Sequence, residues 1–146
     1  MTTTNDRSTT TPVRELEGAV EYHRTIGDAE IAGFAAVTGD DNRVHMDLPY
    51  AEGMGMSERV AHGILVQGLM STACTRWADQ RGLRILSYGW DRVRFIKPVL
   101  RGDTISTAYA VVEEEEGGRK RIARADAHNQ RGEIVAVGTH IMYVLD

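Results

Sequence analysis

The segment from Thr38 to His45 places a carboxylate, Asp40, five residues before an imidazole, His45. An ionised carboxylate and a near-neutral imidazole can together orient and deprotonate a water molecule. Asp40 and His45 are therefore the candidate general base and its partner. Each also has a structural interpretation. An Asp at a helix end commonly forms a turn, and a single His in a loop is commonly structural or exposed. Asn42, between them, is a candidate substrate-binding residue, with a hydrogen bond to its own loop as the alternative.

A second group of candidates begins at His62-Gly63, at the start of an apolar segment. A glycine in the first helical turn leaves its N–H open to a bound carbonyl, and a helix N-terminus favours developing negative charge. Gly63 is therefore the candidate oxyanion donor. His62 and Ser71, on the same segment, are candidate substrate-binding residues. Close packing of small residues is the alternative interpretation for Gly63 and Ser71.

Other kinds of site find little support in the sequence. His45 and His62 have no recognised metal-ligand spacing, and the chain has no His-Glu-x-x-His motif, no paired cysteines and no Gly-rich phosphate loop. We therefore predict neither a metal nor a cofactor. The single cysteine, Cys74, is predicted to be a small core residue. The net charge of −4, with scattered basic residues, argues against a nucleic-acid partner.

The length of 146 residues fits one domain, which we place at residues 13–146. Residues 1–12 lack the apolar core of a signal peptide, so we predict a disordered tail. No apolar run is long enough to cross a bilayer, and we predict neither a membrane association nor an intrachain disulfide. These features together lead us to expect a cytoplasmic protein.

The elements that must position these residues follow from periodicity. We predict a strand over 19–25, then a helix with Asp28 as its N-cap that ends near Gly39. The region 40–60 lacks sustained periodicity, so we predict a loop with at most one helical turn. A long helix is predicted from about His62 to Arg81, because an apolar stripe runs to Gly82.

The second half of the chain is rich in β-branched and aromatic residues that partly alternate, a pattern typical of strands. We predict four, at Ile85–Phe95, Thr104–Glu114, Arg119–Gln130 and Ile134–Val144, with tight turns at Gly117-Gly118 and Arg131-Gly132. The whole order predicts an α+β domain in which one curved antiparallel sheet packs against a central helix. Such a sheet has an open edge, and we expect a second copy of the chain to cover it.

Two segments of the sequence resemble motifs of a known family. The run Phe34-Ala35-Ala36-Val37-Thr38-Gly39-Asp40-Asp41-Asn42-Arg43-Val44-His45-Met46-Asp47, followed by Ala61-His62-Gly63-Ile64-Leu65, resembles the hydratase motif of MaoC-like, (R)-specific enoyl-CoA hydratases. A second match is Phe95-Ile96-Lys97-Pro98-Val99 with Gly102-Asp103-Thr104, similar to the segment at the start of their later strands. The similarity extends from about Asp28 to the C-terminus.

The resemblance implies a hot-dog fold and a homodimer, with a pocket for an acyl thioester near the subunit interface. The family's catalytic pair falls on Asp40 and His45, its carbonyl-binding glycine on Gly63, and a pocket serine of some members on Ser71. One position departs from the pattern, because Arg43 stands where the family commonly has proline. That departure frees the loop backbone and puts the usual substrate in doubt.

The predicted reaction is reversible hydration of a trans-2-enoyl thioester to an (R)-3-hydroxyacyl thioester, carried on coenzyme A or acyl carrier protein. Two alternatives stay open: a hot-dog thioesterase, and a non-catalytic acyl-binding subunit. The acyl specificity is not defined by the motifs. The apolar loop residues either shape the acyl pocket or pack against the sheet; these are Met46, Leu48, Tyr50, Met54 and Met56.

Overall fold

The computed structural model of the chain describes residues 11–145. Its helices are α1 (Asp28–Thr38), α2 (Arg43–Met46), α3 (Leu48–Gly53) and α4 (Gly63–Gln80). Its strands are β1 (Val20–Thr25), β2 (Arg84–Phe95), β3 (Thr104–Glu115), β4 (Lys120–His128) and β5 (Ile134–Leu145). Short 3-10 turns lie at Val13–Glu15 and Glu116–Gly118.

The five strands form one antiparallel sheet in the order β1-β3-β4-β5-β2. The sheet curves around α4, whose buried face contributes Val66, Met70 and Trp77 to the main core. This arrangement confirms the predicted α+β hot-dog fold. Among residues 11–145, no helix combines the length and apolar character that crossing a membrane requires.

The long helix confirms its prediction to within one residue at each end, but the first helix begins differently. Gly27, rather than Asp28, is the N-cap of α1, and the Glu30 carboxylate accepts a hydrogen bond from the Gly27 N–H at 2.9 Å. Asp28 is instead the first helical residue and pairs with Arg59. The helix ends as predicted at Gly39, which adopts the left-handed conformation with φ of 80°.

The region 40–60 contains two short helices, so the prediction of a loop with at most one helical turn was wrong. Each helix is stabilised by a side chain at its start. Asn42 accepts a hydrogen bond from the Val44 N–H at 3.1 Å, and Asp47 accepts one from the Tyr50 N–H at 3.1 Å. Helices of four and six residues are too short to produce a periodic apolar pattern.

The predicted strands and both predicted turns are confirmed, with small shifts at the strand ends. Opposite charges face each other across the β3–β4 hairpin, where Glu114 lies 2.9 Å from Arg121 and Glu115 lies 3.1 Å from Lys120. At the N-terminal end of the chain, residues 1–10 of the predicted tail lie outside the described residues. The Thr11 carbonyl accepts a hydrogen bond from Arg124 at 2.7 Å.

A buried histidine far from the sequence motifs completes the core. His140 on β5 is 1% exposed and lies between two hydroxyl groups, with Tyr109 Oη 2.8 Å from its Nδ1 and Ser87 Oγ 2.7 Å from its Nε2. The Trp90 ring lies 4.5 Å from it, centroid to centroid. Burial lowers the pKa of His140 to about 4, below its ordinary value of 6.5.

Because of His140, we expect the folded protein to lose stability at acidic pH. In the unfolded chain His140 binds a proton near pH 6.5, but in the folded chain only near pH 4, so the unfolded state binds more protons in between. The free energy of unfolding therefore decreases as the pH falls from about 6.5 to about 4, and His140 accounts for a loss on the order of 3 kcal/mol. Urea unfolding across this window measures the loss. In His140→Phe the dependence on pH should be shallower, and an unchanged dependence would contradict the assignment.

Candidate active site

A cavity of about 260 Å³ opens between the start of α4, the end of β2 and the start of β5. Its wall is mostly apolar and includes two of the predicted site residues. The lining residues include His45, Gly63, Val66, Phe95, Lys97 and Val135. An apolar pocket with few polar groups is the usual form of a small-molecule site.

His45 enters the cavity wall from α2 and is partly buried. Its Nδ1 lies 2.6 Å from the carbonyl oxygen of Val60. A carbonyl oxygen only accepts hydrogen bonds, so Nδ1 is the donor. The neutral ring then keeps its free lone pair on Nε2, the atom required for a general base.

Asp40 directly follows the left-handed Gly39 at the end of α1 and is exposed. Its N–H donates to Thr38 Oγ1 at 3.2 Å, and its Oδ1 accepts from the Asn42 N–H at 3.4 Å. Ligand atoms of Asp40, His45 and His62 all lie within 4.8 Å of one another. The predicted acid/base pair is therefore close together in space, while its catalytic role stays a prediction.

Asn42 forms the hydrogen bond to its own loop that was the structural alternative for this residue. Its Oδ1 accepts a hydrogen bond from the Val44 N–H, and its own N–H points to the Asp40 carboxylate. The side chain therefore holds the turn between Asp40 and the helix that carries His45. Its contact with substrate stays a prediction.

His62 lies behind His45 rather than in the cavity wall. It is 2% exposed, and its ring stacks on the His45 ring at 3.7 Å between centroids. Phe34 packs nearby at 4.6 Å. His62 Nε2 donates to the backbone carbonyl of Asp40 at 2.8 Å, and Nδ1 has no hydrogen-bond partner among the described residues.

Gly63 is the first residue of α4 and lines the cavity. The first N–H groups of a helix have no intrahelical acceptor, so the Gly63 N–H is available to a ligand at this position. A Cβ atom placed here would lie 2.7 Å from carbons of the Phe95 ring. The close approach of that ring therefore gives a packing reason for glycine beside the proposed oxyanion role.

Ser71 and Cys74 lie further along α4 and outside the cavity wall. Ser71 is half-buried, and its predicted contact with substrate stays a prediction. Cys74 is buried, with its Sγ 3.9 Å from Met142 Sδ, and burial raises the pKa of its thiol. The prediction that Cys74 is a core residue is thus confirmed.

Asp40, His45 and His62 form a cluster of one carboxylate and two imidazoles, which are common metal ligands. The two rings are stacked with an angle of only 27° between their planes, so lone pairs in those planes cannot converge on one ion. His62 Nε2 is also engaged by the Asp40 carbonyl. The residues do not fit a metal in this arrangement, and no metal enters the proposed mechanism.

Arg43, the departure from the family pattern, turns away from the cavity. Its guanidinium lies 2.9 Å from the Asp47 carboxylate and 4.4 Å from the centre of the Tyr50 ring. The side chain connects α2 to the start of α3 on the outer surface. The substitution therefore changes how the loop is held, and it adds no charge to the cavity wall.

Several cavity residues were not among the predicted site residues. Phe95 and Lys97 belong to the second family-like segment, while Val66 and Val135 come from other elements. The apolar loop residues proposed as an acyl pocket do not line the cavity; only Met56 borders an adjoining groove, which shares Lys97 with it. The β-branched content of β5 was the available signal for Val135, but it does not distinguish a cavity wall from core.

Sequence comparison identifies relatives of this chain among known proteins. The chain is 42% identical over 84 residues to "Protein MaoC" of Klebsiella aerogenes, covering 56% of this chain and 24% of that protein. It is 29% identical over 90 residues to "3-hydroxybutyryl-CoA dehydratase" of Methylorubrum extorquens, covering 62% and 55%. The chain thus spans between a quarter and about half of the length of these relatives.

The structural comparison covers more of the chain. The structure of "R-Hydratase PhaJ1" from Pseudomonas aeruginosa superposes with a TM-score of 0.78 and 30% identity, covering 92% of this chain and 86% of that one. Against known protein families, residues 7–131 match the family described as "MaoC like domain". This match includes both motifs and the cavity residues up to the start of β5. The chain belongs to the MaoC-like domain family.

Proposed function

We propose that this protein is an enzyme, a hydro-lyase that reversibly adds water to a trans-2-enoyl thioester and forms an (R)-3-hydroxyacyl thioester. The observation that carries the proposal is the position of His45 and Gly63 on one apolar cavity, with Asp40 beside His45. The names of the relatives agree with this chemistry, since they include a 3-hydroxybutyryl-CoA dehydratase and an R-hydratase.

In the proposed mechanism Asp40 and His45 hold one water molecule. The water oxygen bonds to C3 of the enoyl group while its proton passes to the pair, and a proton is returned to C2, so that one H₂O is added in total. The Gly63 N–H donates to the thioester oxygen, where negative charge develops as the double bond is attacked. The reverse sequence removes water from the 3-hydroxyacyl thioester.

The substrate brings its own carrier in this proposal, either coenzyme A or acyl carrier protein, and no further cofactor is required. The cavity volume of about 260 Å³ and its mostly apolar wall suit an acyl group rather than the polar carrier. We include in the proposal the cytoplasmic location expected from the sequence, where acyl thioesters of both carriers are made and consumed.

The loss of enoyl absorbance on mixing with crotonyl-CoA tests the reaction. We expect product with (R) configuration, established by coupling to an (R)-specific 3-hydroxyacyl dehydrogenase. A thiol-reactive dye is included in a parallel assay, because release of free coenzyme A would identify a thioesterase instead. Binding of enoyl-CoA with no turnover across a panel of chain lengths would identify a non-catalytic acyl-binding subunit.

We also propose that two copies associate through β2, which is an edge strand of the sheet. Its outer residues include two large apolar side chains, Leu86 (62% exposed) and Tyr88 (72% exposed). A long edge strand with exposed apolar side chains favours pairing with another chain. The opposite edge, β1, is half as long and mostly polar.

Leu86→Glu is therefore expected to shift the protein from dimer to monomer, because it places a charge in the proposed interface. Light scattering after size-exclusion chromatography measures the mass. Val37→Glu is the matched control, since Val37 is also apolar and is 87% exposed but lies on α1. A dimer that persists in Leu86→Glu would exclude this edge, and a monomeric parent protein would exclude the homodimer.

A further inference from the structure

We propose that His62 is a positioning residue that fixes Asp40 and His45 relative to each other, so that its side chain acts on the reaction without touching substrate. The inference rests on the proposed hydration reaction and concerns how its acid/base pair is held. His62 was predicted to bind substrate, but its ring is 2% exposed and lies outside the cavity wall.

The first contact connects His62 to the Asp40 backbone. His62 Nε2 and the Asp40 carbonyl oxygen are 2.8 Å apart, and the carbonyl can only accept, so Nε2 is the donor. Asp40 is otherwise exposed and follows the end of α1, where backbone mobility is expected. This hydrogen bond connects a surface turn to the buried start of α4, 22 residues later in the chain.

The second contact fixes the His45 ring. The two imidazoles stack at 3.7 Å between centroids with 27° between their planes, and Val60 holds His45 Nδ1 through its carbonyl. The stack restricts tilting of the ring, while the hydrogen bond restricts its rotation. Together the two contacts keep the free Nε2 of His45 in one direction, and only the stack comes from His62.

The third connection is through the backbone, because His62 is also the N-cap of α4 and directly precedes Gly63. One residue therefore connects all three proposed catalytic groups. Phe34 contacts the His62 ring at 4.6 Å and helps to hold it in place. The buried Nδ1, which has no hydrogen-bond partner within residues 11–145, is consistent with a side chain whose place is set by stacking and by its single donated bond.

Three substitutions separate the two side-chain contacts. His62→Gln keeps an N–H that can reach the Asp40 carbonyl but removes the ring, His62→Phe keeps the stack but removes the donor, and His62→Ala removes both. We expect kcat for crotonyl-CoA hydration to fall about tenfold in His62→Gln and His62→Phe and about 100-fold in His62→Ala, because catalysis depends steeply on alignment. Affinity for the unreactive butyryl-CoA should stay within about twofold of the parent value, since His62 does not line the cavity.

A matched control comes from the other buried histidine. His140→Phe also removes a buried, hydrogen-bonded imidazole, and it should lower Tm while leaving kcat within about twofold. The His62 inference is overturned if kcat is unchanged in His62→Ala. It is also overturned if the loss appears as weaker butyryl-CoA binding, which would mean direct substrate contact, or if kcat and Tm fall in His62→Phe by no more than in His140→Phe.

One measurement is independent of turnover. In ¹H–¹⁵N spectra, the His45 Nδ1–H should be protected from exchange in the parent protein and in His62→Phe, and exchange-broadened in His62→Ala and His62→Gln, which lack the stacked ring. Identical spectra in all four proteins would overturn the inference even if no substrate were turned over. Conversely, if Asp40→Asn retains full activity, the proposed reaction fails, while the spectra still report on the positioning role.

Discussion

Asp40→Asn is expected to lower kcat for hydration of crotonyl-CoA by about 1000-fold, since the amide cannot accept the proton of the attacking water. The substitution preserves the size of the side chain, and its Oδ1 can still accept the hydrogen bond from the Asn42 N–H. The turn should therefore keep its geometry, and KM should change little. Steady-state assays of enoyl absorbance measure both constants.

The neighbouring carboxylate supplies the control. Asp41 is also exposed, and Asp41→Asn removes the same charge one residue away, so it should keep activity within about twofold. His45→Ala should match the loss in Asp40→Asn, and the double variant should be little worse than either, because the two groups act on one water. Equal activity of the Asp40 and Asp41 variants would exclude Asp40 from catalysis.

Gly63→Ala is expected to lower kcat/KM by about 100-fold, through a displaced cavity wall and a misplaced carbonyl donor. The new Cβ would lie 2.7 Å from the Phe95 ring, closer than real atoms approach, so the ring must move. Phe95 is 47% exposed and lines the cavity, so its displacement changes the acyl site rather than unfolding the protein. Kinetic assays beside thermal unfolding separate these effects.

Gly68 provides the matched control on the same helix. A Cβ at Gly68 would meet nothing within 4 Å, so Gly68→Ala should keep activity and gain about 0.5–1 kcal/mol in stability. Adding Phe95→Leu to Gly63→Ala should recover part of the lost activity, since it removes the ring atoms at the clash. Full activity of Gly63→Ala alone would contradict the expected displacement of the Phe95 ring and of the carbonyl donor.

The fold followed from the sequence where local signals were strong. An apolar stripe ending at a glycine gave α4 to within one residue, and β-branched segments separated by glycine turns gave four strands of the sheet. The N-cap of α1 was placed one residue late, because a Glu30 side chain that reaches back to Gly27 gives glycine the role expected of Asp28. The helices α2 and α3 were missed because they depend on capping rather than on periodicity.

The site residues also divide into those that a local sequence signal identifies and those that it does not. Asp40 and His45 were identifiable because both belong to one short segment, and Gly63 because it begins a helix. The stack of His62 on His45 and its bond to Asp40 join residues that are distant in sequence, so no local pattern encodes them. The same holds for Phe95 and Val135, which only the curvature of the sheet brings to one cavity.

Arg43 changes how the segment that carries Asp40 and His45 is held. A proline at this position would stiffen the backbone covalently, under any solvent condition. In this chain the segment is instead held by a surface ion pair between Arg43 and Asp47 and by contact of Arg43 with the Tyr50 ring. Ion pairs of this kind are screened by salt. We therefore expect the loop that presents His45 to become more mobile as the ionic strength rises.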